Sequence, residues 1–352
     1  MFNELSSCNM MDYEKLCEMY TVNREYVDME IYNELKQKKL VQIKKHPNLP
    51  LNLLNYTPIT QMKKKWDKDL LCARGLVVND EGKIIARPLA KFFNDYEVKG
   101  VLPSQPFEVY KKLDGSLIIM SFYEGKPFFC TRGSFTSEQA VQAEKLYFAK
   151  YHSVKVDPDY TYCFEIIYPN NKIIVDYKTE DDIFLLAKIH TATGYETSIQ
   201  NCGFRCANVY NENKTLCELK QMDTENEEGF VIRFPHNNFR VKIKFKTYIN
   251  LHKAGKYTRK DVIKSLAKRE NISIENIPDE CFPDLKDMCT DIIQQFNNIK
   301  NDLLKEYDNI VHEHLQEKDI IEQIKQSANK QILFCLFRGQ NFDNQVWRML
   351  QK

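Results

Sequence analysis

What this 352-residue chain lacks removes several classes of protein at once. There is no GxxxxGK[ST] and no GxGxxG opening a helix, so neither a P-loop NTPase nor a dinucleotide-binding fold is expected. No apolar run approaches the roughly 20 residues that cross a bilayer, so no membrane partner is expected. The opening Met1-Phe2-Asn3-Glu4 begins no basic-then-apolar signal, and an intracellular location follows as the expectation, with cytoplasm and nucleus both open. Net charge is nearly absent as well, at +1 from 50 Lys and Arg against 49 Asp and Glu. A polyanion site must therefore come from local clustering of cations, not from bulk attraction. No internal repeat or low-complexity tract is present.

Cysteine, by contrast, is plentiful at 11 residues, yet no CxxC pairs occur. Cys202, Cys206 and Cys217 form the tightest group and have no histidine at ligand spacing, so neither a disulfide framework nor a structural zinc is expected. Hydrophobic content of 43% and charged content of 28% fit a soluble globular chain with one large or two moderate domains.

The texture of the chain changes once. Residues 1–50 mix amphipathic helix (Tyr13 to Tyr20, Val27 to Lys36) with a strand at Val41 to Lys45. From about 51 to 250, short segments rich in β-branched and aromatic residues predict strands, among them 75–78, 107–110, 117–122, 162–167, 183–187, 230–234 and 239–245. A helix from Ser137 to Lys150, capped by Thr136 or Ser137, interrupts them. After Gly255 the pattern is helical: 258–270, 284–307, 309–327, 332–337 and 342–350. The expected class is α+β, with domains at 1–253 and 254–352, the second all-helical.

Six clusters hold residues suited to chemistry. Arg74-Gly75 begins one strand and Lys91-Phe92-Phe93-Asn94 follows the next turn, two cations able to converge on a phosphate. Lys112-Leu113-Asp114-Gly115-Ser116 places a lysine before a tight turn. A lysine with a lowered pKa is a nucleophile, while Lys111 points to the opposite face by alternation. Thr131-Arg132-Gly133-Ser134 is either a phosphate or RNA contact or a simple turn with a helix cap. Glu165 is a carboxylate inside an apolar strand, costly unless paired, and Glu228 leads into another at Gly229-Phe230-Val231. Along Val241 to Lys246, alternation puts Lys242, Lys244 and Lys246 on one face. Alone, the Arg74 and Lys91 pair and the lysine stripe read more simply as solvated surface. Together they form one self-consistent set of phosphate cations, ribose or metal carboxylates and a candidate nucleophile.

The order RG, KFFN, KxDGS, RGSFTSEQA, FE with PNN, EGFV and KIK resembles the covalent nucleotidyltransferases. More closely it resembles RNA ligases of the bacteriophage T4 RNA ligase 1 type, over roughly residues 70–252. The resemblance implies an adenylyltransferase domain of antiparallel sheets and helices, to which residues 1–50 add a helical and strand extension by their own pattern, and an all-α C-terminal domain. It implies an ATP-dependent RNA ligase acting in RNA repair, joining 3′-hydroxyl and 5′-phosphate ends through lysyl-AMP and an adenylylated RNA end. Lys112 would be the nucleophile, and Lys242 and Lys244 would neutralise the α-phosphate. Arg74 and Lys91 would hold the other phosphates and help keep the Lys112 amine neutral. Glu165 would bind the ribose, while Val231 and the strand near Phe184 would wall the adenine. Glu228, with Glu165 and Asp114, would hold Mg²⁺, or Mn²⁺ in its place. Arg132, where the pattern has lysine, and Ser134 would touch RNA. RNA such as a broken stem-loop or tRNA is the implied partner, together with a separate end-healing kinase or phosphatase where ends need preparing.

Within the same superfamily, a DNA ligase or mRNA guanylyltransferase would carry a strand-rich domain after the last lysine motif, where this chain turns helical. A non-catalytic RNA-binding scaffold on the same fold would have had no need to keep Lys112, Glu165, Glu228, Lys242 and Lys244 together. His312 and His314, two apart on a helix, cannot share a face to bind metal.

Overall fold

The computed structural model describes residues 11–20, 23–99, 106–210, 212–254, 258–268, 282–313 and 316–351. It divides into two compact units, within Leu5–His252 and within Lys253–Lys352. Gly255 and His314 lie outside the described residues.

The first unit opens with β1 (Met11–Asp12), α1 (Tyr13–Tyr20) and α2 (Met29–Gln37), the last capped by the Asp28 carboxylate. Next come β2 (Val41–Lys45), β3 (Leu51–Tyr56), α3 (Pro58–Lys63), α4 (Lys68–Cys72), β4 (Arg74–Asn79) and β5 (Ile84–Ala86). The antiparallel order β2-β3-β4-β5 builds the early strand directly into the sheet that carries Arg74. The chain continues through β6 (Phe93–Asn94), β7 (Val98–Lys99), β8 (Glu108–Lys111), β9 (Ser116–Tyr123) and β10 (Lys126–Thr131) to α5 (Glu138–Leu146). Ser137 is the cap of α5, its hydroxyl accepting the Ala140 N–H at 3.3 Å. Then follow β11 (Tyr160–Ile167), β12 (Asp182–His190), β13 (Glu196–Thr197), α6 (Leu216–Gln221), β14 (Gly229–Phe234), β15 (Phe239–Lys244) and α7 (Lys246–Ala254).

Two further sheets, ordered β6-β15-β14-β8 and β10-β9-β11-β12-β13, position the functional side chains. Strand alternation sorts each into two faces. Phe230, Ile232 and Phe234 of β14 and Val241 and Ile243 of β15 enter a large core shared with α1, α2 and α4. Val231 lies opposite Lys242 and Gly229 opposite Lys244, on the other face. On β11, Tyr162, Phe164 and Ile166 pack with Leu146 and Tyr147 around α5. Cys163 and Glu165 take the reverse face, as the alternation predicted. A bulge in β12 carries the register from Ala187 to Leu185 and leaves Leu186 extra.

β15 ends at Lys244, and Lys246 starts α7 instead of extending the lysine stripe. Two lysines, not three, share the strand face.

The second unit holds α8 (Arg259–Ala267), α9 (Phe282–Glu313), α10 (Glu317–Gln326), α11 (Lys330–Phe337) and α12 (Asp343–Leu350). Thr258 and Asp261 form a capping box at α8. The helix expected over 309–327 is divided between the end of α9 and α10. Phe296 and Trp347 stack with centroids 4.2 Å apart, and Val262 and Ile263 pack with Cys289 and Ile292.

Candidate active site

A cleft runs between the inner faces of the second and third sheets, with about 630 Å³ of empty space, open solvent included. Leu117, Glu165 and Leu186 line it from one sheet, and Tyr110, Val231 and Arg240 from the other. Arg74, Lys111 and Lys112 add further cations to the wall.

Lys112 leaves the end of β8 with its N–H donated to the Gly229 carbonyl at 2.8 Å. Its Nζ lies 2.8 Å from Glu228 Oε2, and Lys244 Nζ lies 3.1 Å from Glu228 Oε1. Glu228 is thus a buried carboxylate between two lysines. Burial alone would raise its pKa, but the charges of Lys112 and Lys244 and their hydrogen bonds hold it below the ordinary carboxylate value. The group meeting the Lys112 amine is therefore an attracting carboxylate, and not the ring of repelling cations expected from sequence. Lys111, also in the cleft lining, pairs with Glu227 at 2.5 Å.

The turn after Lys112 is shaped by two glycines. A Cβ on Gly115 would fall 2.3 Å from the Ile166 carbonyl oxygen, so no other residue fits there. Gly229, at φ +143°, would put a Cβ 2.0 Å from the Ile243 carbonyl oxygen. The Gly115 N–H donates to Glu165 Oε1 at 3.1 Å, which draws Glu165 to the Lys112 turn. Burial pushes the Glu165 carboxyl up to about 7, with Glu228 adding to the rise and Lys112 opposing it.

Asp114, expected among the metal carboxylates, is committed elsewhere. Its Oδ2 accepts the N–H groups of Ile174 and Val175, both at 2.8 Å, and its Oδ1 accepts the Tyr248 hydroxyl at 2.7 Å. The Tyr177 hydroxyl accepts the Asp114 N–H at 2.9 Å. Asp114 braces the turn against two segments distant in sequence. Three motif fragments meet beside it: Asn171 Nδ2 donates to the Ser116 hydroxyl at 3.0 Å, and Gln139 Nε2 to Asn171 Oδ1 at 3.3 Å.

Arg74 lines the cleft, donates to the Leu89 carbonyl at 3.3 Å and lies over the Phe92 ring. Lys91 is absent from the cleft lining; it is 3% exposed, with Nζ 5.2 Å from the Phe93 ring centre and 5.9 Å from that of Trp66. Arg132 donates to the Tyr56 hydroxyl at 3.0 Å and covers that ring. The Ser134 hydroxyl accepts the Thr136 N–H at 3.1 Å within its own turn. Lys242 is buried on the cleft side of β15 beside Val231. Phe184 does not line the cleft; Arg205 covers its ring at 4.5 Å, and Leu186, two residues on, is the wall.

Sequence reading missed Tyr248, Tyr177, Arg240 and the Tyr56–Trp66 pair. Tyr248 follows the KIK motif by four residues and could have been found only by treating the strand and α7 as one unit. The others carry no local signal.

Among the described residues, no three His, Cys, Asp or Glu side chains group closely enough to hold a metal by themselves. Mg²⁺ uses one or two carboxylates, retained waters and substrate phosphates; Glu165 and Glu228 are the carboxylates at the Lys112 end of the cleft, and both Glu228 oxygens are held by Lys112 and Lys244. No helix among the described residues is long and apolar enough to cross a membrane.

The family model described as RNA ligase matches residues 72–248, half of the chain. The chain belongs to the RNA ligase family. A protein of Autographa californica nuclear polyhedrosis virus named as a bifunctional polynucleotide kinase/RNA ligase is 26% identical over 253 residues, covering 62% of this chain. One of Thermovibrio ammonificans named as an RNA ligase is 25% identical over 256 residues, covering 66%. The chain spans 36% of the viral and 63% of the bacterial protein. Among solved structures, an ATP-dependent DNA ligase of Aquifex aeolicus aligns at TM-score 0.47 and 13% identity, covering 89% of this chain and all of that one. An archaeal ATP-dependent RNA ligase aligns at TM-score 0.44 and 12% identity, covering 78% of each chain.

Proposed function

We propose that this protein is an ATP-dependent RNA ligase that joins 3′-hydroxyl and 5′-phosphate ends, with Lys112 as the residue that receives AMP. The observation behind the reading is the Lys112–Glu228–Lys244 array at one end of an apolar-walled cleft. Lys112 Nζ would attack the α-phosphorus of ATP as the bond to pyrophosphate breaks, leaving AMP on the lysine. AMP would pass to an RNA 5′-phosphate, and a 3′-hydroxyl would then displace it to seal the strand. Such steps depend on in-line placement and charge neutralisation. Lys244 and Lys242 would neutralise the α-phosphate, Arg74 the outer phosphates and Glu165 the ribose. Lys91 would join the phosphate clamp only by leaving its seat against Trp66 and Phe93. Glu228 and Glu165 would hold Mg²⁺, or Mn²⁺, which would supply further charge neutralisation. As substrate phosphates and metal draw on Glu228, the Lys112 ammonium would lose its anion and pass one proton to solvent, leaving the neutral amine that attacks.

Arg132 would contact RNA phosphate by swinging from Tyr56, and Asp114 acts as a brace. The viral relative is named for kinase as well as ligase activity. These 352 residues contain no GxxxxGK[ST], so any end preparation would be supplied from outside them, by a kinase or phosphatase. Incubation with α-labelled ATP should label the protein, and Lys112→Ala should not be labelled; a labelled Lys112→Ala protein would overturn the assignment. Single-stranded RNA, a broken stem-loop, nicked duplex RNA and nicked DNA then rank the substrate, with the RNA ends sealed fastest. If nicked DNA were sealed best, the RNA reading would fail.

A further inference from the structure

Arg240 is the one cation of the cleft lining on β15, and it shares the sheet face of Val231 and Lys242. Four residues of strand separate it from Lys244, about 13 Å at the usual rise. Lys244 is at the Lys112 end of the cleft, and Arg240, 7% exposed, is therefore at the other end. Between the two ends the walls are apolar, formed by Leu117, Leu186 and Val231.

The guanidinium is held from behind. Its Nη2 donates to Glu196 Oε1 and its Nη1 to the Asn238 carbonyl at 3.3 Å. Arg233 Nε lies 3.2 Å from the same Glu196 oxygen, and Arg233 Nη1 donates to Glu108 at 2.8 Å. Glu196 belongs to β13 of one sheet and both arginines to the other, so the array fixes Arg240 across the cleft. A guanidinium has five N–H donors, more than these two acceptors use. A buried Arg–Glu pair is seldom better for stability than apolar residues of similar volume. A charged donor fixed at the end of an apolar slot is better explained by what enters the slot.

Resting on the reading of the cleft as an ATP site, we propose that Arg240 recognises the base. With the α-phosphate at Lys112 and the ribose at Glu165, the purine lies between Val231 and Leu186. One of its ring nitrogens accepts an N–H from Arg240. Glu196 and Arg233 are positioning residues that fix the plane of the guanidinium.

The test measures protein nucleotidylation against concentration for ATP and for 1-deaza-, 3-deaza- and 7-deaza-ATP, each lacking one acceptor nitrogen. One analogue should raise KM roughly 10- to 100-fold, the loss expected for a hydrogen bond to a charged donor, with kcat nearly unchanged. In Arg240→Met the same analogue should perform as well as ATP. Should that variant fold poorly with Glu196 unpaired, Arg240→Met/Glu196→Met removes both charges and is read in the same way. The inference is overturned if all three analogues match ATP in the unaltered protein, or if the penalty survives removal of Arg240. Absence of any labelling by ATP would instead overturn the ligase reading together with this one.

Discussion

Replacing Glu228 by glutamine tests the centre of the site without reference to catalysis. Glu228 is 3% exposed and its two oxygens meet Lys112 at 2.8 Å and Lys244 at 3.1 Å. Glutamine keeps the shape but leaves two cations without their shared anion. Removing one partner of a buried pair costs about 3–5 kcal/mol. The Lys112 side chain is 22% exposed, so solvent recovers part of this, and a loss of roughly 3 kcal/mol is expected. With an m-value of about 3 kcal/mol/M, the urea midpoint should fall by about 1 M. The chain has two tryptophans, and a Trp347→Phe background leaves Trp66, in the first unit, as the single indole reporter. Lys244→Met should be destabilising alone yet neutral or stabilising in Glu228→Gln, because it then removes repulsion between two lysines. The pH dependence has a definite sign. The Glu228 pKa is depressed in the fold, so its contribution is full above the ordinary 4.5 and is lost as pH falls through the lower folded value. The deficit of Glu228→Gln should therefore be constant near neutral pH and shrink in acid. An unchanged midpoint, or a Lys244→Met cost that simply adds to that of Glu228→Gln, would refute the three-residue array.

Glu165 gives the opposite pH signature. Burial lifts its carboxyl from 4.5 to about 7, so the folded protein holds the proton more tightly and the ionised side chain weighs against stability as pH rises through that window. Relative to the unaltered protein, Glu165→Gln should gain stability between pH 4.5 and 7, and its KM for ATP should lose the rise of about tenfold per unit expected below pH 7; parallel pH profiles would exclude the role. Asp114→Asn should unfold more easily by about 2 kcal/mol, since its amide would face donors, while the Mg²⁺ concentration giving half-maximal labelling stays fixed; a large shift in that concentration would restore Asp114 as a ligand. Gly115→Ala should abolish labelling, because the new Cβ meets the Ile166 carbonyl at 2.3 Å. Near-normal labelling would mean that the turn can move.

Much of this protein was decided by sequence alone. Alternation on β14, β15 and β11 sorted Phe230 and Ile243 into the core and Val231, Lys242 and Glu165 toward the cleft, because side-chain direction in a strand has a period of two and is a local property. The change from strand to helix texture near residue 250 was likewise local. The reach of those patterns ended where a side chain met a group distant in sequence. Asp114 looked like one more carboxylate until Tyr248 and the Ile174 and Val175 amides filled its oxygens, and Lys91 looked like Arg74 until its aromatic seat was seen. The neighbour of Lys112 could not be read from its charge pattern, since Glu228 reaches it only through the pairing of β8 with β14. Hydrogen bonds and ion pairs act over a few ångströms in space, whatever the separation along the chain. The sequence supplied the residues of the site and their faces, and the tertiary structure decided which of them meet.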